Sequence, residues 1–374
     1  MNESEKNLKE NLKKMMIESF SQDELYTAGN YWKYYEKNIL QQTDINSLSR
    51  FRSWEGGAGA GNIQSFGGGN EFKIRSSSRN FYPMDDAFSF FDESLLVQKY
   101  NSFINKIIPY IPFFKYFLIR IVEMKKYYKN IYKTNLRNKY TLIKSMDKNL
   151  VEISDSSFGI DKKNLVFIDG KIYTNAFLNS LNTIYYIKKY TKFESIKHII
   201  ELGAGIGLLA SAFLKLNKKT KYLIVDIPPT IFFSQYYLKN IGYKVFGYEE
   251  IIKKETIDIK KIFESYDVIC LPPWKLSKLK DFSFDLFINI HSFQEMEKKQ
   301  SLNYLSVLKK KLNKYIYLQN SIEGHKKAIE KNKFGVLEPT TLKDIEECLH
   351  HKYSIVKKDI INENQTYQAI FKKN

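Results

Sequence analysis

The chain has 374 residues, enough for one large or two ordinary domains. Hydrophobic residues make up 43 % and aromatics 15 %, which excludes a disordered polymer, and two cysteines, Cys270 and Cys348, exclude a disulfide scaffold and fit a reducing cytoplasm. The net charge of +18 comes almost entirely from lysine, with only six arginines among 59 basic residues. That balance argues against nucleic acid, whose sites favour the bidentate contacts of arginine, and for a solvated lysine surface. An anionic membrane face or an acidic substrate stays open as a partner of this charge.

The first twenty residues carry Glu3, Glu5, Lys6, Lys9, Glu10, Lys13 and Lys14, so no uninterrupted apolar core of a signal peptide is expected. Residues 1–50 place Tyr26, Tyr31, Trp32, Tyr34 and Tyr35 at helical spacing. Glycine-rich stretches at 56–61 and 67–69 predict a mobile loop, because glycine loses most entropy on ordering. Residues 85–150 show helical periodicity. The longest apolar stretch, Phe103 to Val122, is interrupted by Lys106, Pro109, Pro112, Lys115 and Arg120, so a buried helix is expected rather than a membrane span. A hairpin follows around Asp169-Gly170, then a helix from Asn175 to Tyr190.

From Ile196 onward apolar strands alternate with helices, which predicts a mainly parallel α/β sheet. The expected strands are His198–Glu201, Lys221–Asp226, Tyr243–Phe246, Asp267–Leu271, Phe284–Ile290 and Lys314–Gln319. The C-terminus breaks the alternation. Tyr353–Lys357 and Thr366–Phe371, joined through Asn362-Glu363-Asn364, read as a strand pair with no helix between them. The chain thus divides into a mostly helical region, 1–163, and an α/β region, 164–374.

The chemistry concentrates at Glu201-Leu202-Gly203-Ala204-Gly205-Ile206-Gly207, between the first of these strands and a helix from Leu208 to Leu216. Glycines here let the backbone approach a ligand closely. Asp226 ends the next strand, where an acid can accept hydrogen bonds from both hydroxyls of a ribose. A dinucleotide fingerprint would need glycine or alanine at the sixth position from Gly203, and that position is Leu208. The pattern present is instead E-x-G-x-G-x-G.

That pattern, with Val225-Asp226-Ile227-Pro228 and the run from Phe284 through His291-Ser292-Phe293-Gln294-Glu295-Met296, resembles the sugar O-methyltransferases of bacterial surface-polysaccharide biosynthesis. The resemblance covers about 164–374. It implies a class I methyltransferase fold, a Rossmann-like sheet with an antiparallel last strand, and S-adenosylmethionine (SAM) as cofactor. Glu201, Gly203, Ala204, Gly205, Gly207, Asp226, Ile227 and Asn289 are then the residues expected at the cofactor, Glu201 suiting its positive charge. Ile206 departs from the family, where an aromatic residue is expected. The implied acceptor is a hydroxyl of a nucleotide-sugar, lipid-linked sugar or nascent glycan, met in the cytoplasm or at the inner membrane surface.

A sugar hydroxyl is a poor nucleophile near neutral pH and needs a base within hydrogen-bond reach. His291 and Glu295 follow the Phe284–Ile290 strand at its carboxyl end, where ligands of open α/β sheets bind. Histidine suits the base by its pKa. Glu295 can be the base, orient His291 or bind sugar hydroxyls. The competing readings are a packing role for His291 and a helix-start carboxylate for Glu295. His198, inside a strand, reads as structural, and no zinc spacing or carboxylate cluster for a metal is visible. Two other function classes stay open. Leu271-Pro272-Pro273-Trp274 resembles the Asn/Asp-Pro-Pro-Tyr motif of nucleic-acid amino-methyltransferases, although Leu271 cannot accept a hydrogen bond from a base. The second is a non-catalytic subunit that binds partners through its helical half.

Overall fold

The computed structural model describes residues 3–45, 47–53, 130, 132–361 and 365–374. The glycine-rich stretches at 56–69, the apolar stretch 103–122 and the 362–364 turn lie outside the described residues. Of the helical expectation for 85–150, the described part bears it out, with 132–146 forming a helix. The helices used below are α1 (Glu3–Ser19), α2 (Asn30–Ile45), α3 (132–146), α4 (Asn175–Tyr190), α5 (Leu208–Leu216) and α6 (Pro228–Asn240).

A two-residue hairpin, β1 (Phe167–Ile168) and β2 (Lys171–Ile172), turns at Asp169-Gly170, both at positive φ. The main sheet has eight strands: β3 (His198–Leu202), β4 (Lys221–Val225), β5 (Val245–Phe246), β6 (Val268–Leu271), β7 (Phe284–Ile290), β8 (Leu312–Ser321), β9 (Tyr353–Ile361) and β10 (Thr366–Lys373). Their order is β5-β6-β4-β3-β7-β8-β10-β9. Strands β3 to β8 pair in parallel, while β10 runs antiparallel to both β8 and β9. The chain builds outward from β3 to one side through β4, then returns to lay β7 on the other side. The crevice at that reversal is where open α/β sheets bind ligands.

Period-two alternation sends neighbouring residues of each central strand into different cores. Ile199, Ile224, Ile288 and Tyr317 enter one apolar cluster; Ile200, Leu223, Phe287 and Leu318 enter the other. Both faces are covered, so these strands read as continuous apolar runs rather than as polar–apolar alternation. Asp285 pins the strand starts in register: it accepts from the backbone N–H groups of Lys197 and His198 at 2.8 and 2.9 Å and pairs with Lys314 at 2.9 Å. His198 belongs to this anchor and stacks near Phe263, so its role is structural.

The N-terminal helices are bound to the α/β unit by polar latches. Buried Arg52 pairs with buried Asp155 at 2.7 Å, and Asp155 also accepts from Thr174 and from Tyr237 of α6. The side chain of Asn30 donates to the carbonyls of Lys333 and Gly335 at 2.8 and 2.9 Å. Glu297, also buried, accepts from the backbone N–H groups of Asn30, Leu337 and Glu338. These contacts seat the start of α2 beside the carboxyl ends of β7 and β8. No helix among the described residues is long and apolar enough to cross a membrane.

Candidate active site

The turn after β3 is shaped by three glycines at positive φ: Gly203 (78°), Gly205 (59°) and Gly207 (80°). A Cβ on Gly203 would lie 2.2 Å from Ser292 Oγ, so the turn packs directly on the segment that follows β7. The two most informative sequence motifs therefore meet in space. Gly207 serves differently, for its missing Cβ leaves room for Leu238 of α6, and its backbone starts α5.

Glu201 ends up almost fully buried beneath this turn and accepts from the Tyr222 hydroxyl at 2.7 Å. Burial pushes its carboxyl up to about 8, against the lowering effect of Tyr222. Asp226 is buried too. Its two oxygens accept from the backbone N–H groups of Gly205 at 3.1 Å and Ile227 at 2.8 Å. Burial again dominates and raises its carboxyl to about 7, with Thr230 and the backbone donors working against it. Two carboxylates thus sit desolvated in one place with no cation paired to either among the described residues. Such a pair is costly unless a ligand brings positive charge or hydroxyl donors.

A single cleft of about 1560 Å³ joins this turn to the end of β7. Glu201, Gly203, Ala204, Gly205, Asp226 and Ile227 line it, as do His291 and Glu295. Gly207 and Asn289, also expected at the cofactor, do not line it. Asn289 is 0 % exposed and spends its amide inside the protein: it donates to Leu202 O at 2.9 Å and accepts from Phe293 N and Asn320 Nδ2 at 3.1 and 3.0 Å. It clamps β3, β7 and β8 together and fixes the turn that carries His291 and Glu295.

His291 adopts positive φ, 57°, which lifts its ring out of the strand direction and into the cleft. Its backbone N–H donates to Gln319 O at 2.7 Å. The Gln319 carboxamide oxygen accepts from the Tyr317 hydroxyl at 2.8 Å, which turns the amide nitrogen toward His291 Nε2, 3.1 Å away. With Gln294 Oε1 3.4 Å from Nδ1, this chain assigns the Nδ1–H tautomer and leaves the lone pair on Nε2.

The rest of the cleft was invisible to sequence spacing. Tyr31, Trp32 and Tyr35 from α2, and Lys139 from α3, contribute to its wall, as do Asn175, Asn179 and Asn182 from α4. His325 also lines it, with its ring 4.6 Å from Tyr31 and 5.3 Å from Phe334, and burial lowers its pKa. No local pattern around residue 325 marks that histidine, because its ring partners are Tyr31, near the other end of the chain, and Phe334, across a loop. Trp274 is buried against Tyr248 rather than presented to the cleft, and only Pro273 of the Leu271–Trp274 segment lines it. A stacking platform for a flipped base is therefore absent at this motif.

The strand order, the crevice at its reversal and the antiparallel β10 define the class I SAM-dependent methyltransferase fold. Three solved structures are distantly similar to this chain. Mitomycin 7-O-methyltransferase MmcR is 9 % identical, with 53 % of this chain and 57 % of that chain covered at a TM-score of 0.35. The pyocyanin biosynthetic protein PhzM is 12 % identical over 53 % and 56 % of the two chains, also at 0.35. Magnesium protoporphyrin IX methyltransferase from Synechocystis PCC 6803, solved with bound SAM, is 11 % identical over 52 % and 80 %, at 0.34. The chain spans little more than half the length of the first two. No protein-family model and no curated protein matches it.

Proposed function

We propose that the chain binds SAM at the glycine turn and transfers its methyl group to a hydroxyl of a sugar held in the same cleft. The observation that supports this reading is the continuity of one space from Gly203 and Asp226 to His291 and Glu295. Its volume exceeds the roughly 300–1,000 Å³ of an ordinary ligand pocket, which leaves room for an acceptor beside a cofactor. Glu201 and Asp226 suit a cationic nucleoside, because both are desolvated acids without a cation of their own among the described residues. The turn at Gly203 leaves backbone, not side chain, against the ligand.

SAM, when bound, supplies an electrophilic methyl group on a sulfonium. The chain's own residues align the acceptor and exclude water. His291 Nε2 takes the hydroxyl proton once the acceptor displaces the Gln319 N–H that now faces it, and Nδ1–H remains directed at Gln294. Glu295 accepts from a neighbouring hydroxyl. The sugar reading is favoured by the wall opposite, where carboxamides offer paired donors and acceptors to hydroxyl groups and Trp32 adds aromatic surface. Methyl-labelled SAM is expected to label nucleotide-sugars, lipid-linked sugars or oligosaccharides as ethers. Label appearing only on phenols or amines would remove the sugar assignment and leave methyl transfer.

The raised carboxyls give the binding a pH signature. An acid that is neutral in the free protein must release its proton to pair with a cation, so SAM affinity should rise with pH. With Asp226 near 7 and Glu201 near 8, affinity should climb as pH rises toward 7, less steeply between 7 and 8, and level off above about 8, by up to about tenfold per unit for each proton released. Calorimetric titrations across that range check the slope, and a flat profile would count against both carboxylates as cofactor ligands.

A further inference from the structure

We propose that the loop between β8 and the helix Leu342–Leu349 is a docking surface for an anionic lipid membrane, seated at the mouth of the cleft. The inference stands without methyl transfer; for that reading it favours a lipid-linked acceptor over a free one.

The loop has a closed neck and an apolar tip. Across the neck the Ala328 N–H donates to Val336 O at 2.7 Å and the Val336 N–H to Lys326 O at 3.1 Å. A Cβ on Gly335, at φ 120°, would lie 2.4 Å from Lys326 O, so glycine lets the two arms meet. Asn30 of α2 holds the returning arm: its side chain donates to the Lys333 and Gly335 carbonyls and accepts from the Asn332 N–H at 2.6 Å. Ala328 and Val336 are buried in the neck, whereas Ile329, the next residue after Ala328, is 92 % exposed. The pinned neck therefore holds a large apolar side chain out in solvent.

Its surroundings suit a bilayer. Tyr34, Phe334 and Leu337 are exposed as well, with Phe334 edge-on to Tyr34 at 6.0 Å. Lys326, Lys327, Lys331 and Lys333 flank the tip, all exposed. Glu330 is the one acid between 326 and 333, and it pairs with Lys333 at 3.8 Å. No carboxylate among the described residues pairs with the other three lysines. A single exposed isoleucine needs no explanation, but an apolar tip flanked by lysines matches an anionic interface: the side chain enters the acyl boundary while the ammonium groups meet phosphates. Lysine without arginine suits diffuse attraction to headgroups rather than bidentate reading of a polynucleotide. The loop's inner side faces the cleft, where His325, Lys326 and Phe334 line it. A bilayer seated on the tip would lie beside the cleft opening, within reach of a sugar on a lipid carrier.

The test is co-sedimentation of the full chain with phosphatidylcholine vesicles, with and without phosphatidylglycerol. Binding to the anionic vesicles is expected, weakening with salt. Ile329→Ser should weaken it about tenfold, the effect of withdrawing one aliphatic side chain from the interface. Lys327→Gln with Lys331→Gln should weaken it about twenty-five-fold, roughly fivefold for each charge. Lys218→Gln with Lys219→Gln removes the same charge ahead of β4, at the opposite end of the sheet, and should leave binding nearly unchanged. Ile329→Trp should emit further to the blue with anionic vesicles, beyond any change in the parent chain. The proposal is overturned if anionic vesicles bind no better than neutral ones, if both loop variants bind as the parent does, or if the Lys218 and Lys219 pair costs as much as the loop pair. Single-stranded RNA bound through the loop lysines, with no vesicle binding, would overturn it too. Vesicle binding needs no cofactor, so a failure of S-adenosylhomocysteine to bind would bring down methyl transfer and leave this result standing.

Discussion

Asp226→Asn is expected to weaken SAM binding by about a hundredfold or more while the protein stays folded. The substitution is nearly isosteric, yet the site has no place for an amide. One carboxylate oxygen accepts from Gly205 N and the other from Ile227 N. Asparagine must point its NH₂ at one of these donors, leaving a buried N–H without a partner and shifting the turn. Two ribose hydroxyls each lose a hydrogen bond to a charged acceptor worth about 1.5–3 kcal/mol, so a hundredfold loss is a modest expectation, while the orphaned backbone donor costs stability in the free and bound states alike. Calorimetry on the variant, with circular dichroism to confirm folding, checks it. Wild-type affinity in a folded Asp226→Asn protein would remove Asp226 from the cofactor site.

His291→Asn should lower kcat by about a hundred- to ten-thousandfold, the usual contribution of a positioned general base, with cofactor affinity nearly unchanged. Asparagine is the informative replacement because it tolerates positive φ, whereas alanine at φ 57° would add backbone strain of its own. Asparagine also keeps a polar group near Gln294 and Gln319, so loss of turnover reports the missing imidazole rather than a collapsed turn. Single-turnover methyl transfer measures it. A variant that keeps full turnover would make His291 a packing residue and pass the role of base to Glu295 or to His325.

Sequence patterning carried the sheet well. Strands β3 to β8 lie where apolar runs alternate with helical segments, and Phe284–Ile290 and Asn175–Tyr190 have the bounds the pattern suggests. The C-terminal pair was legible because two apolar runs stood too close together to hold a helix. The edge strand β5 shrank to Val245–Phe246, since among the described residues it pairs with β6 alone. The strand order could not be read, for nothing local says that β6 inserts between β5 and β4.

The candidate site divides the same way. Glu201, the glycines and Asp226 lie within one βαβ unit, where a few residues of spacing fix the geometry. Asn289 was expected at the cofactor through the family resemblance, but its contacts with Leu202 and Asn320 turn it inward. The acceptor wall was not legible. Tyr31 and Trp32 reach the cleft through the Asn30 and Glu297 latches, between residues 267 and more positions apart. No periodicity reports a contact of that range.

Titration of S-adenosylhomocysteine into the wild-type protein bears most directly on the central claim, that the turn from Glu201 to Gly207 grips an adenosyl ligand. Saturation at one site per chain, weakened about a hundredfold or more by Asp226→Asn, is the expected result. No heat with either S-adenosyl compound at any pH between 6 and 8, from a folded sample, would contradict it.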